Sequence, residues 1–88
     1  MPEIEVTDLF WDLYVDLPKH IQKRILKALR FLAENHRHPS LRTKPIEGAP
    51  GIYEARVDRF YRMSYERLPG DVLRLRVVGN HDDVLKNP

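Results

Sequence analysis

Ile21, Ile25, Ala28, Leu29 and Leu32 recur at intervals of three and four residues, with Lys23, Arg24, Lys27 and Arg30 falling on other faces. That is the period of an α-helix with a single apolar stripe. Pro18 suits the first turn of such a helix, and the helix is expected to end near Asn35, ahead of His38-Pro39. A stripe of this kind must be covered, and the rest of the 88-residue chain is expected to cover it. A chain of this length builds one core and buries roughly 60–65% of its unfolded surface, so residues 1–88 are expected to form a single domain.

Upstream of the stripe, Glu3-Ile4-Glu5-Val6 alternates with period two and reads as a short strand. Thr7 or Asp8 can cap a first helix carrying Leu9, Phe10, Leu13 and Leu17. Leu17-Pro18 breaks that helix, so the two helices form a hairpin. Residues 36–51 hold scattered prolines and glycines and read as irregular. Three strand-like runs follow, Ile52 to Val57, Phe60 to Glu66 and Val72 to Val78. They are joined at Asp58-Arg59 and through Leu68-Pro69-Gly70-Asp71, a strong turn signal. Short turns between consecutive strands make an antiparallel meander. The fold class is therefore α+β, with an N-terminal short strand and a helical hairpin packed on an antiparallel β-meander.

Side chains alternate across a strand. Tyr53, Ala55 and Val57, then Tyr61, Met63 and Tyr65, then Leu73, Leu75 and Val77 form the set expected to cover the helix stripe. Glu54, Arg56, Arg62, Ser64, Glu66, Arg74, Arg76 and Val78 fall on the opposite face, provided no bulge shifts the register. Parity thus gathers four arginines and Glu54 on one exposed sheet face. Guanidinium donates in a planar, bidentate fashion that suits phosphate, and Phe60 and Tyr61 lie close enough in sequence to stack on bases. The alternative is a solvated face on which Glu–Arg pairs contribute little.

Charge distribution points the same way. The formal net charge is only +2, yet residues 1–16 hold five acids and no base, residues 17–44 hold eight bases and one acid, and residues 54–76 hold six arginines. Such asymmetry suits a polyanion or an acidic protein partner. No apolar run approaches a membrane span. The acidic start, MPEIEVTD, lacks the positive region of a signal peptide. The absence of cysteine excludes a disulfide framework and a cysteine zinc site. His20, His36 and His38 fit no standard zinc spacing. A cytoplasmic protein without metal or cofactor is expected.

Several segments then resemble a known family. Leu17-Pro18 opens a basic amphipathic helix; His38-Pro39-Ser40-Leu41-Arg42 and Gly51-Ile52-Tyr53-Glu54-Ala55-Arg56 follow; Tyr61-Arg62 lies in the next strand; and Val78-Gly79-Asn80-His81-Asp82-Asp83-Val84-Leu85 comes last. In order and spacing they resemble the RelE/ParE toxin superfamily, in its RelE-like branch, over essentially the whole chain. The resemblance implies the toxin of a type II toxin–antitoxin pair, neutralised by a cognate antitoxin in an oligomeric complex. RelE-like members cut mRNA in the ribosomal A site; ParE-like members poison DNA gyrase without being nucleases. The family's two basic positions on the first meander strand fall on Glu54 and Arg56, its arginine in the next strand on Arg62, and its basic or imidazole group after the last strand on His81. Glu54 is an acid where the pattern has a base, and Leu85 stands where a tyrosine often follows.

RNA can be cleaved by its own 2′-OH, which needs a base, cations for the charged transition state and an acid for the leaving oxygen. On this reading Arg56 and Arg62 stabilise phosphoryl oxygens, His81 moves a proton, since imidazole ionises close to neutral pH, and Glu54 is the candidate base. Arg74, Arg76, Lys44 and Arg42 are expected to bind RNA or the ribosome. The departures at Glu54 and Leu85 leave open a ParE-like toxin acting on gyrase, or a catalytically impaired toxin-like protein that only binds its antitoxin.

Overall fold

The structure is a computed structural model describing residues 1–88. In chain order the elements are β1 (Glu3–Val6), α1 (Asp8–Val15), α2 (Lys19–Glu34), a 3-10 turn (Pro39–Leu41), β2 (Lys44–Pro45), β3 (Ile52–Arg56), β4 (Tyr61–Leu68), β5 (Val72–Asn80) and α3 (His81–Lys86). The five strands form one sheet in the order β1-β5-β4-β3-β2. Strands β3 to β5 pair antiparallel, as the short turns predict; β2, in a stretch expected to be irregular, also pairs antiparallel with β3, and β1 runs parallel to β5, so the sheet is mixed.

The hairpin of α1 and α2 forms as its punctuation dictates. Thr7 caps α1, its hydroxyl accepting from the Phe10 amide at 3.2 Å. Pro18 stands immediately before α2. The Gln22 side-chain amide donates to the Tyr14 carbonyl at 3.0 Å and the Leu17 carbonyl at 3.1 Å. The Tyr14 carbonyl also accepts from the Leu17 amide at 3.1 Å, so Gln22 adds a second donor there and satisfies the Leu17 carbonyl beyond the helix end, bridging the corner. Ile21, Ile25, Ala28 and Leu32 are buried, and with Phe10 and Leu41 they meet Ala55, Met63, Tyr65, Leu73, Leu75 and Val78 of the sheet in one core.

Strand parity holds until β5. There Ser64 pairs with Val77 but Tyr65 with Leu75, which leaves Arg76 as an extra residue in a bulge. The extra residue exchanges the faces of the positions after it. Val78 is buried in the core and Val77 is not, the reverse of the alternation expected. The Thr7 hydroxyl, which already caps α1, donates to the Arg76 carbonyl at 3.3 Å, so the bulge carbonyl is satisfied.

Segments 36–51 and 79–88 are also more regular than expected. His38 caps the 3-10 turn, its Nδ1 accepting from the Ser40 amide at 3.2 Å. Its ring stacks on Phe31 with centroids 4.1 Å apart. Strand β5 runs on to Asn80, where α3 begins under a reciprocal cap: the Asp83 amide donates to Asn80 Oδ1 at 3.0 Å, and Asn80 Nδ2 donates to Asp83 Oδ2 at 2.8 Å. No helix is long and apolar enough to cross a membrane.

Candidate functional site

The sheet register places Lys44 of β2 opposite Glu54 of β3, Glu54 opposite Ser64 of β4, and Ser64 opposite Val77 of β5. One step along the same face, Arg56 lies opposite Arg62, and Arg62 opposite Gly79. This face is the one parity assigns to the polar residues, but its centre is not open to solvent. Glu54 is only 4% exposed and Ser64 is fully buried. The C-terminal segment beyond α3 covers it. Ser64 Oγ donates to the Pro88 oxygen at 3.2 Å and accepts from the Val77 amide at 3.3 Å, while Arg76 Nε donates to the same Pro88 oxygen at 2.9 Å. The expectation of an exposed arginine face is therefore corrected.

A buried carboxylate needs cations. Glu54 Oε1 lies 3.8 Å from Arg62 Nε, on the diagonal of the ladder, and 3.9 Å from Lys44 Nζ on its other side. Arg62 is held from behind as well, with Nη1 donating to the Asp58 carbonyl at 2.6 Å and the Tyr61 carbonyl at 3.0 Å. Asp58 shapes that β3–β4 turn, its Oδ1 accepting from the Phe60 and Tyr61 amides at 2.9 Å each. Burial alone would raise the Asp58 carboxyl; the Phe60 amide, Arg24 and the Tyr61 amide outweigh it and hold it below 3.8.

His81 is the first residue of α3, and its amide donates to the Phe60 carbonyl at 2.8 Å. Arg62, His81, Asn80, Asp82, Arg59 and Phe60 line a pocket of about 380 Å³. Within it the His81 Nδ1 is 3.6 Å from Asp82 Oδ1. Phe60 is 63% exposed, with the Arg59 guanidinium 5.5 Å from its ring centroid, whereas Tyr61 packs against the core. Arg62 thus joins two groups, the Glu54–Lys44 contact on one side and the pocket that holds His81 on the other.

Other expected site residues are dispersed. Arg56 makes no ion pair and faces a separate cleft of about 290 Å³, beside Arg24, Lys27, Ser40 and Asp58. Arg74 is bound by Glu5 at 2.8 Å and Glu66 at 3.6 Å, and Arg76 by Glu66 at 3.6 Å. The four arginines are therefore one face by parity but three environments by contact. Arg42 is exposed, in the left-handed region at φ 46°, and lines a third pocket with Arg37, Thr43, Lys44 and Tyr53. The largest cavity, about 600 Å³ between Thr7, Ile52, Arg76 and Pro88, holds none of the Glu54, Arg62 and His81 cluster.

Three contributors carry little signal in the sequence. Asp58 is legible only as a turn-forming aspartate followed by Arg59. Ser64 gives a faint signal, a small hydroxyl between Met63 and Tyr65. Arg37 gives none, since its place beside Arg42 in the third pocket comes from the fold of residues 36–43. Of the histidines, His36 Nδ1 is 3.4 Å from the Tyr65 hydroxyl and His38 is spent on Phe31, so both serve packing.

By sequence the chain matches no protein-family model and has no significant match among curated proteins. Solved structures do match it. It superposes on a YoeB/ParE toxin from Agrobacterium tumefaciens with a TM-score of 0.74 at 18% identity, covering 90% of this chain and 98% of that one. A RelB–RelE antitoxin–toxin complex from Methanococcus jannaschii gives a TM-score of 0.74 at 24% identity, with 96% and 99% covered. The E. coli DinJ–YafQ complex gives 0.65 at 25% identity, with 96% and 98% covered. Sheet, helical hairpin and closing helix are thus accounted for along nearly the whole length, and the chain carries the fold of the RelE/ParE toxin superfamily.

Proposed function

We propose that this protein is the toxin of a type II toxin–antitoxin pair and acts as a metal-independent, ribosome-dependent mRNA endonuclease that arrests translation. The observation that carries the reading is the Arg62–His81 pocket set against the buried Glu54 carboxylate. In the proposed reaction the 2′-oxygen of the substrate attacks the neighbouring phosphorus and the P–O5′ bond breaks, leaving a 2′,3′-cyclic phosphate and a 5′-hydroxyl. Arg62 neutralises the phosphoryl oxygens. His81 delivers the proton to the departing 5′-oxygen. The 2′-OH proton leaves to a base, the role assigned to Glu54, whose carboxylate lies 3.8 Å from Arg62 Nε; its burial beside Arg62 and Lys44 also gives it the role of aiming Arg62. Arg56, without a partner, extends positive charge past the cluster. Arg42, Lys44, Arg74 and Arg76 are assigned to ribosome and RNA contact, with Arg74 and Arg76 first having to leave Glu5 and Glu66.

A cognate antitoxin is the proposed protein partner, in an oligomeric complex; antitoxin complexes stand among the matched structures. One observation favours a second reading. An acid at position 54 buried between two cations suits a non-nuclease, ParE-like toxin acting on DNA gyrase. Both readings are tested by inducing the protein in cells and following mRNA integrity, translation and DNA breakage, with Arg62→Ala and His81→Ala in parallel. The nuclease reading expects cut mRNA on translating ribosomes and a loss of about 10²–10⁴-fold in each variant. Undiminished cleavage in both variants, or DNA breaks with intact mRNA, overturns it.

A further inference from the structure

Four of the seven exposed large apolar side chains lie on the helical hairpin, Leu9, Trp11 and Val15 on α1 and Leu26 on α2. Helix α1 buries only Phe10 completely, so much of its apolar surface is left over from the core. Val15 and Leu26 are 63% and 46% exposed, and both border the same corner. The Val15 carbonyl accepts from the Gln22 side chain at 3.4 Å, and Leu26 stands one turn beyond Gln22 on the same side of α2. Trp11 stands one turn before Val15. The three side chains therefore flank the seam between the two helices. Charge divides along that seam. Asp8, Asp12 and Asp16 follow one another at one-turn spacing, all exposed, and α1 carries no base. On α2, Lys19, Lys23 and Arg30 are exposed around Leu26, and the only acid is Glu34. None of these three acids and three bases makes an ion pair within the chain.

We propose that the hairpin is the interface of a two-fold homodimer, in which the acidic α1 of each copy lies on the basic α2 of the other. A two-fold contact brings the same patch of both copies together. With the axis along the seam, Trp11, Val15 and Leu26 meet their own counterparts at the centre, and each acidic side faces a basic side. An apolar centre inside a charged rim is the anatomy of a specific interface. RNA fits only half of this surface, because Asp8, Asp12 and Asp16 repel a polyanion. A partner of one charge sign likewise matches only one of the two helices, whereas a second copy answers both. The face is small. At 1.5 Å per residue α1 and α2 are about 12 and 24 Å long, so the contact belongs to the low end of specific interfaces and is reversible rather than obligate. It is independent of the endonuclease reading, since neither Arg62 nor His81 lies on the hairpin.

Analytical ultracentrifugation from the micromolar to the millimolar range, at low and high salt, tests this. The wild type is expected to pass from monomer to dimer and no further, and salt is expected to weaken the dimer several-fold by screening the rim charges. Val15→Ser and Leu26→Ser change exposed side chains and leave the core intact. Tm should therefore hold while dimerisation weakens about tenfold, each change entering twice per dimer. Asp12→Lys and Lys23→Glu supply the sharper readout. Each alone sets like charges against each other in both halves of its homodimer and should weaken it. Mixed together, the two variants match in both halves and should form a heterodimer more readily than either pairs with itself. Lys86→Glu makes the same change of net charge as Lys23→Glu but lies on α3, and should leave the dimer unchanged. A wild type that stays monomeric throughout, or that grows beyond two copies, overturns the proposal. So does a dimer indifferent to both serine variants, a mixture that associates no better than its components, or an equal loss from Lys86→Glu.

Discussion

Replacing Asp58 should unsettle fold and site together. Its carboxylate accepts from two turn amides, those of Phe60 and Tyr61, both at 2.9 Å, and from Arg24 Nη1 at 2.7 Å. Hydrogen bonds to a charged acceptor are worth about 1.5 kcal/mol or more each when buried. Here Phe60 is exposed, so water replaces part of what its amide loses, and Arg24 is 56% exposed, which holds that pair to about 0.5 kcal/mol. Asp58→Ala is therefore expected to cost about 2 kcal/mol, or roughly 8–16 °C in Tm for a domain of this size. Asp58→Asn keeps an acceptor and should cost about half as much. The pH dependence has a definite sign. The folded carboxyl lies below 3.8, so its contribution is present above that value and lost as pH falls through the lower folded value. The gap between the wild type and Asp58→Asn should be full at pH 6 and shrink below about pH 4. Because Arg62 donates to the Asp58 carbonyl at 2.6 Å, a loosened turn should also lower mRNA cleavage at temperatures where the variant is still folded. Thermal unfolding across pH, with cleavage measured beside it, checks the chain of reasoning. A Tm change for Asp58→Ala of under about 3 °C, or a gap that persists undiminished in acid, refutes it.

Gln22→Ala removes the side-chain donor from the Leu17 carbonyl and one of the donors to the Tyr14 carbonyl, and should cost about 1 kcal/mol in urea unfolding; no change would mean the helix corner is held without Gln22. Gly70 turns the β4–β5 hairpin at φ 80°, and Gly70→Ala should cost about 1–2 kcal/mol by the same measurement. Burial pushes the Tyr65 phenol up to about 12, so the unfolded chain releases this proton first as pH rises past 10. Wild-type stability should therefore fall more steeply between pH 10 and 12 than that of Tyr65→Phe, and parallel alkaline unfolding curves would contradict that.

The parts of the fold that were legible rest on short-range pattern. The α2 stripe, the Pro18 break and the meander turns each need only neighbouring residues, and each appears where the sequence places it. The failures have a different origin. The bulge at Arg76 leaves no trace in a run of alternating Leu, Arg and Val, and one extra residue sends Val78 to the core in place of Val77. The pairing of Arg74 with Glu5 depends on the parallel register of β1 against β5, which no local rule supplies. The helix at His81 follows from Asn80 and Asp83, whose spacing is that of a capping box, but so short a helix carries no apolar period to announce it. For the site, Glu54 and Arg62 were brought together by parity, whereas the cover over Ser64 and the Arg37 and Arg42 pocket come from long-range folding.

The Thr7 hydroxyl links α1 to the bulge in β5 across 69 residues of chain. Strand β1 has no other neighbour than β5, so residues 3–6 must wait for residues 72–80 before they find their place. Such closure is non-local and makes folding slow relative to helical proteins of equal size. A growing chain that lacks β5 has neither the finished sheet nor a seat for Arg62 and His81. The activity proposed for this protein is therefore expected to appear only once β1 has found β5, and not piecemeal during synthesis.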